Sequence, residues 1–327
     1  MIQKALLAAS LSLAAAPFFA APASAQDNYP SRPITLVIPY PAGGATDALG
    51  RVVAKQLGQE LGQTVVVENR AGAATAIGAG YVARSAPDGY TLLAGPGTTF
   101  TVNPAIQANL PYDPVKSFDP IGIIGRTGLA LLANPNVPVK TLPEFVAYAN
   151  AHKSEPPPYG SFGSGSSAHF MAEAFIHAAK LQMTHIPYKG SAPAMTDLIG
   201  GQIPFAVDTV AAALPQSKQG KVRVLAISSP ARSSLMPDVP TFAELGYPSV
   251  AMDSWLLIAA PAGLPADVKA RLEKGLGTAA NSPAVRETLE NLGFESGFVG
   301  ATESAALIQK ELPQMKELAQ RANISPN

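Results

Sequence analysis

Short, continuously apolar runs that each end in a small-residue turn and give way to a helical pattern constrain this chain more than any other feature. The first is "ITLVIPY" (34–40), followed by the turn in "PYPAGGATD" (39–47) and a helix predicted from about Asp47 to Leu61. In that helix Leu49, Val52, Val53, Leu57 and Leu61 recur at three- and four-residue spacing, the period of one buried face. "TVVVEN" (64–69), a helix near 76–84 and "YTLLAG" (90–95) continue the alternation. Apolarity that is continuous rather than alternating marks strands covered on both faces, as in a parallel sheet. Repeated strand–helix alternation predicts doubly wound α/β layers.

The middle of the chain repeats the plan. The helix "LPEFVAYANAH", the strand "PYGSF", a Gly/Ser turn and a helix from about Ala168 to Lys180 come first. "MTHIPY", a helix near 193–199, "IPFAVDT", a helix near 211–219 and "VRVLAIS" follow, and after "DSWLLIAAP" (253–261) the elements are mostly helical, ending with one near 302–321. A chain of 327 residues exceeds one ordinary core. Two stretches, 120–134 and 250–261, read as crossings between domains. The expected architecture is therefore two doubly wound α/β lobes joined by a two-segment hinge. Lobe one is discontinuous (26–126 and 256–327), and lobe two spans 127–255. Two connections permit opening and closing while restricting twist.

Residues 1–25 carry one early charge, Lys4, then an apolar run ending in Ala23-Ser24-Ala25, the pattern of a secretory signal cleaved after Ala25. The mature protein is expected to be exported, soluble and monomeric. Removing the segment takes one lysine from a balance of 23 basic and 23 acidic residues, leaving 22 against 23. A charge near −1 gives no electrostatic reason to expect nucleic acid or an anionic membrane as partner. With no cysteine, disulfides, thiolate catalysis and thiolate-held metals are excluded, and no cofactor is expected.

The turn after the first strand holds Ala42, Gly43 and Gly44, with Thr46 a candidate N-cap and Asp47 in the first helical turn. Glycines let a ligand approach the main chain, and free N–H groups at a helix start favour an anion. The pattern G-x-x-x-x-G-K-[ST] is absent, as is G-x-G-x-x-G, so this is not a nucleotide loop. "SFGSGSSAH" (161–169) is the matching device in the second half, with Gly163, Ser164, Gly165, Ser166 and Ser167 ahead of His169. "GPGTTF" (95–100), with Thr98, is a third wall past a strand end, where open α/β sheets bind ligands. Asp208 ends another strand; it can cap the next segment, accept from a ligand or order a water.

Catalysis and metal binding fare worse on the same residues. Gly165–His169 begins like a nucleophile elbow, but His169 stands where G-x-S-x-G needs glycine. A triad of Ser164, His169 and Asp208 has no support in spacing. His169, Glu173 and His177 share a helix face, but the outer two lie about 12 Å apart along the axis. One ion cannot take both, and a solvated face suits Glu173 and His177. His169 can donate to an anion or serve the structure.

In order along the chain, "YPSRPITLVIPYPAGGATD", "GQTVVVENRAGA", "ARSAPDGYTLL", "NLPYDPVKSFDPIG", "THIPYKGSAPAMTDLIGGQI", "VRVLAISSPARSSLMPDVPTFAELG" and "SWLLIAAPAG" resemble the substrate-binding receptors of tripartite tricarboxylate transporters, the Bug receptor family. The resemblance covers nearly all of the mature chain. It implies a periplasmic clamshell without catalysis that captures small organic carboxylates and delivers them to membrane subunits of a tripartite transporter. It places ligand-binding roles on Ala42, Gly43, Gly44, Thr46 and Asp47, on Gly163 to Ser167 with His169, and on Asp208. "YPAGGATD" and "SFGSGSS" depart from the usual loops of that family, which makes Phe162 a candidate aromatic specificity wall. An aromatic or dicarboxylic acid such as a benzene dicarboxylate fits that wall; a citrate-like acid, an aliphatic diacid and an amino acid stay open. A secreted hydrolase using Ser164 or Ser166, or a periplasmic sensor subunit, is the alternative.

Overall fold

The structure is a computed structural model that describes residues 29–322 and 324, so the expected signal segment lies outside the described residues. β1 (Ile34–Ile38) leads into α1 (Ala45–Leu61), and β2 (Val65–Asn69) into α2 (Ala76–Ala83). β3 (Thr91–Pro96) runs into a turn of π-helix over Thr98–Val102 and then α3 (Asn103–Ile106). β4 (Phe118–Ala133) is a 16-residue strand. After it come α4 (Leu142–Ala151), β5 (Pro158–Ser161), α5 (Ser167–Ala178), β6 (Thr184–Pro187), α6 (Ser191–Ile199), β7 (Phe205–Thr209), α7 (Val210–Lys218) and β8 (Arg223–Ile227). β9 (Asp253–Pro261), α8 (Ala266–Ala280), α9 (Pro283–Asn291), β10 (Glu295–Gly300) and α10 (Ala301–Arg321) complete it.

Two sheets share β4. Its first part lies between β9 and β10, extending the sheet β2-β1-β3-β9-β4 of lobe one. From Leu129 it lies between β7 and β8, extending the sheet of β6, β5 and β7 in lobe two. β9 pairs along its whole length with β4 and over Leu256–Ala259 with β3. The expected parallel sheets are mixed. β1 pairs in parallel with β2 and β3, and β5 with β6 and β7, but β9 and β4 run antiparallel to their neighbours. The strands that pass between lobes must travel out and back, and that sets them against the βαβ direction.

Both faces of each sheet are covered, which is why the strands read as unbroken apolar runs. In β1, Leu36 and Ile38 pack on Leu49, Val53 and Leu57 of α1 and Leu272 of α8, while Val37 packs on the other face with Val82, Leu93 and Trp255. Lobe two repeats this, with Leu129 and Leu131 of β4 on one face and Ala130 and Leu132 on the other. Each fully buried aliphatic side chain contributes about 1.5–3 kcal/mol. The layering leaves the carboxyl ends of β1, β3 and β5 facing the space between the lobes. Among the described residues no helix is long and apolar enough to cross a membrane.

Candidate functional site

Past β1 the chain passes through Tyr40 into an exposed turn, Pro41 to Gly44. Gly43 sits at φ +91°, a conformation that glycine alone adopts readily, and a Cβ added at Gly44 meets nothing within 4 Å. α1 starts earlier than expected: its N-cap is Gly44, with no side-chain cap, and Thr46 lies inside the first turn. The first N–H groups of α1 have no intrahelical acceptor. Asp47 is buried beneath them. Its carboxylate accepts from the Gly43 N–H at 2.9 Å, Arg51 Nε at 3.0 Å and Asn69 Nδ2 at 2.9 Å. Led by the Arg51 bond, these hold its pKa down at about 2. Asp47 thus braces the turn from behind.

A second element of lobe one reaches the same space. Ala73, Ala74 and Thr75 have φ of +46°, +48° and +84°, three consecutive non-glycine residues in the left-handed region. Each such residue costs about 1–2 kcal/mol. Buried Asn103 holds the turn through Nδ2 to the Ala74 carbonyl at 2.5 Å, and the Thr75 and Thr99 hydroxyls meet at 2.9 Å. Burial pushes the Tyr40 hydroxyl up to about 12.

In lobe two the turn from Phe162 to Ser166 joins β5 to α5, with Gly163 at φ +149° and Gly165 at +66°. Ser166 is the N-cap: its Oγ accepts the His169 N–H at 3.3 Å and donates to the Gly163 carbonyl at 2.6 Å. His169 Nδ1 accepts from the Gly165 N–H at 3.1 Å, so the ring serves the turn. The His185 ring stacks on it at 3.8 Å and bonds Ser161 Oγ at 2.7 Å. Burial first, then the neighbouring His185, lowers His169 to about 4, and burial lowers His185 to about 4. Glu173 is not on a solvated face: it accepts the Tyr159 hydroxyl at 2.7 Å, and burial raises its pKa. The reason is its position between α5 and β5, which helix periodicity alone does not show. Asp208 is bonded to Ser191 Oγ at 2.5 Å and the Thr209 N–H at 2.7 Å, and burial raises its pKa.

Between the two turns lies a cavity of about 690 Å³. Tyr40, Ala73, Ala74 and Thr98 form the lobe-one wall, Asn103 and Ile106 to Asn109 extend it, and Phe162 to Ser166 form the lobe-two wall. Of the residues singled out in the sequence, Thr98, Phe162, Gly163, Ser164, Gly165 and Ser166 line it. Ala42, Gly43 and Gly44 stand in the exposed turn beyond Tyr40, whereas Thr46, Asp47, Ser167, His169 and Asp208 lie outside the lining. Tyr40, Ala73, Ala74, Asn103, Gln107 and Asn109 were not anticipated. For Ala73 and Ala74 a signal existed: "RAGAAT" is a small-residue turn past a strand end, like the others.

Among the described residues no Asp, Glu, Lys, Arg or His lines the cavity, so hydroxyl, carboxamide and main-chain groups supply its polarity. Among the described residues no three His, Cys, Asp or Glu side chains are placed to hold one metal ion. Neither Ser164 nor Ser166 is bonded to a histidine ring, and Ser161, which is, is fully buried. Neither turn serine therefore has a histidine base.

Two α/β lobes joined by crossing strands enclose this uncharged cavity, the architecture of a two-lobed binding protein. The chain belongs to the tripartite tricarboxylate transporter receptor family: residues 49–324 match the family described as "Tripartite tricarboxylate transporter family receptor". This is a family of receptors, not of enzymes. Protein BugT of Bordetella pertussis is 38% identical over 294 residues, covering 90% of each chain. The Rhodopseudomonas palustris protein Rpa4515, solved with adipate, is 31% identical with a TM-score of 0.77, over 92% of this chain and 100% of that one. MatC (Rpa3494) from Rhodopseudomonas palustris, solved with malate, is 31% identical with a TM-score of 0.73, over 89% and 99%.

Proposed function

We propose that this protein is exported to the periplasm, captures a small dicarboxylate between its lobes, and delivers it to the membrane subunits of a tripartite transporter. The observation that carries the reading is the cavity itself, where the Phe162–Ser166 turn faces Tyr40, Thr98 and the Ala73–Ala74 turn with no charged side chain in the lining. A carboxylate there would be held by main-chain N–H groups and neutral side chains, each charge-assisted bond contributing about 1.5–3 kcal/mol. A few such bonds with closure over an apolar ligand body reach micromolar affinity, about −8 kcal/mol. The lobe-one turn, Ala42 to Gly44 with Thr46 behind it, would meet the ligand as the lobes close about β4 and the segment before β9. Adipate and malate in the related proteins support a dicarboxylate, and Phe162 supports an aromatic body such as a benzene dicarboxylate.

A thermal-shift and calorimetry screen over adipate, malate, the benzene dicarboxylates, citrate and aspartate tests this. A ligand at a hundred times its Kd adds about 2.7 kcal/mol of stability. Failure of every acid to shift unfolding or release heat would remove carboxylate capture. Citrate or aspartate alone would replace the dicarboxylate by another acid.

A further inference from the structure

Behind the ligand cavity, β9 begins at Asp253, opposite Gly128 of β4. The Asp253 side chain is 9% exposed, and its Oδ1 is buried without a hydrogen-bond partner. Its Oδ2 has Arg126 Nη1 at 3.8 Å, too long for a hydrogen bond. From α10, Glu311 accepts the Trp255 Nε1–H at 3.1 Å. The two carboxylates line one void with the hydroxyl-bearing Thr98, Thr101, Ser167 and Ser254. Its volume is about 10 Å³, the room of one water-sized occupant.

Neither carboxyl facing this void has a close ionic partner. Arg126 stands 3.8 Å from Asp253 Oδ2 and is itself a third exposed (32%), so water screens it. Burial raises both carboxyls, Asp253 to about 6 and Glu311 to about 7, and a cation that displaces their protons would partner both in an oxygen-lined space. Hard cations take such oxygens, and a singly charged one needs fewer carboxylates than a divalent ion does. We propose that a sodium-sized monovalent cation binds between Asp253 and Glu311 at this junction of the lobes. Thr98 lines both the ligand cavity and the void, and Ser167 follows directly on cavity-lining Ser166. The ion therefore ties β9 and α10 to the lobe-two turn and makes lobe position dependent on the cation.

The test compares thermal unfolding of the purified protein in sodium, potassium and choline chloride at equal ionic strength, with no organic acid present. Unfolding is expected about 2–4 °C higher in sodium than in choline, whose quaternary ammonium is too large for a water-sized void. Asp253→Asn and Glu311→Gln each abolish the sodium difference; Gln keeps an acceptor for Trp255. Equal transitions in all three salts, as when a proton or water alone fills the void, overturn the proposal, and so does a sodium difference that survives in both variants. Should the variants not fold, sodium titration of the emission of Trp255, the sole tryptophan of the chain, decides on the unaltered protein. A saturable change supports the site, and none refutes it. Since no acid is used, carboxylate capture can fail without affecting this result.

Discussion

The glycine turns after β1 and β5 have the same backbone plan and opposite wiring. Behind the lobe-one turn stands an ionised carboxylate, Asp47, bonded to Gly43, Arg51 and Asn69. Behind the lobe-two turn stand two neutral imidazoles: His169 accepting from Gly165, and His185 stacked on it and bonded to Ser161. Lobe one's turn is exposed, so a charge survives beside it, and Arg51 is half in water. Lobe two's is backed by a packed core, where a charge would be costly. One task, fixing a turn that presents N–H groups, has been met with whichever acceptor the local dielectric tolerates.

The wiring is broken most severely by Asp47→Ala, which removes the acceptor of the Gly43 N–H and one acceptor each from Arg51, left with Asn69 Oδ1, and from Asn69, left with the Tyr40 carbonyl. We expect a loss of about 2–3 kcal/mol in denaturant unfolding, from bonds to a charged group; a loss under about 1 kcal/mol would mean the carboxylate is dispensable. Acid separates the turns next. His169 and His185 are held near 4 in the fold against 6.5 when free. Between those values the unfolded chain binds more protons, so their contribution, complete above pH 6.5, is lost as pH falls to 4. Asp47, with a folded value of about 2 against 3.8, keeps its contribution until pH falls below 3.8. The two histidines should therefore contribute an uptake of about two protons on unfolding between pH 6.5 and 4, opposed by Asp253 and Glu311, which burial raises to about 6 and 7 and which release protons on unfolding in that range. His185→Gln should reduce the uptake by about one; an unchanged pH profile would place the histidines in water.

Much of the scaffold was legible. The span of β9 was predicted residue for residue, and α1 within two residues, because an unbroken apolar run and a 3.6-residue period are local signals. Pairings were not. Nothing in "GFESGFVG" announces β10, a glycine-rich strand whose partner, β4, lies more than 160 residues away. The left-handed Ala73–Thr75 turn escaped because alanine and threonine rarely adopt that conformation, and it stands only through Asn103 and Thr99. Glu173 was misplaced on a solvated face for a similar reason: its partner, Tyr159, comes from another element. The strand-end position of the turns could be read from sequence, whereas the side chains bracing them are set by contacts between elements.

The subtlest effects come from the glycines. Gly43→Ala and Gly165→Ala place an L side chain at φ +91° and +66°, so each should cost about 1–2 kcal/mol of stability. Gly44→Ala is the informative counterpart. Its φ of −83° suits any residue and its Cβ meets no protein atom, so unfolding should move by less than about 0.5 kcal/mol. If the lobe-one turn closes on the ligand, the added methyl group stands where a carboxylate must approach the main chain. Affinity for the best acid should then fall about tenfold, or 1.4 kcal/mol, at unchanged stability. Calorimetry on this one variant separates the two turns: unaltered affinity would leave ligand capture to the lobe-two turn and the Ala73–Ala74 wall, with the first turn outside the site.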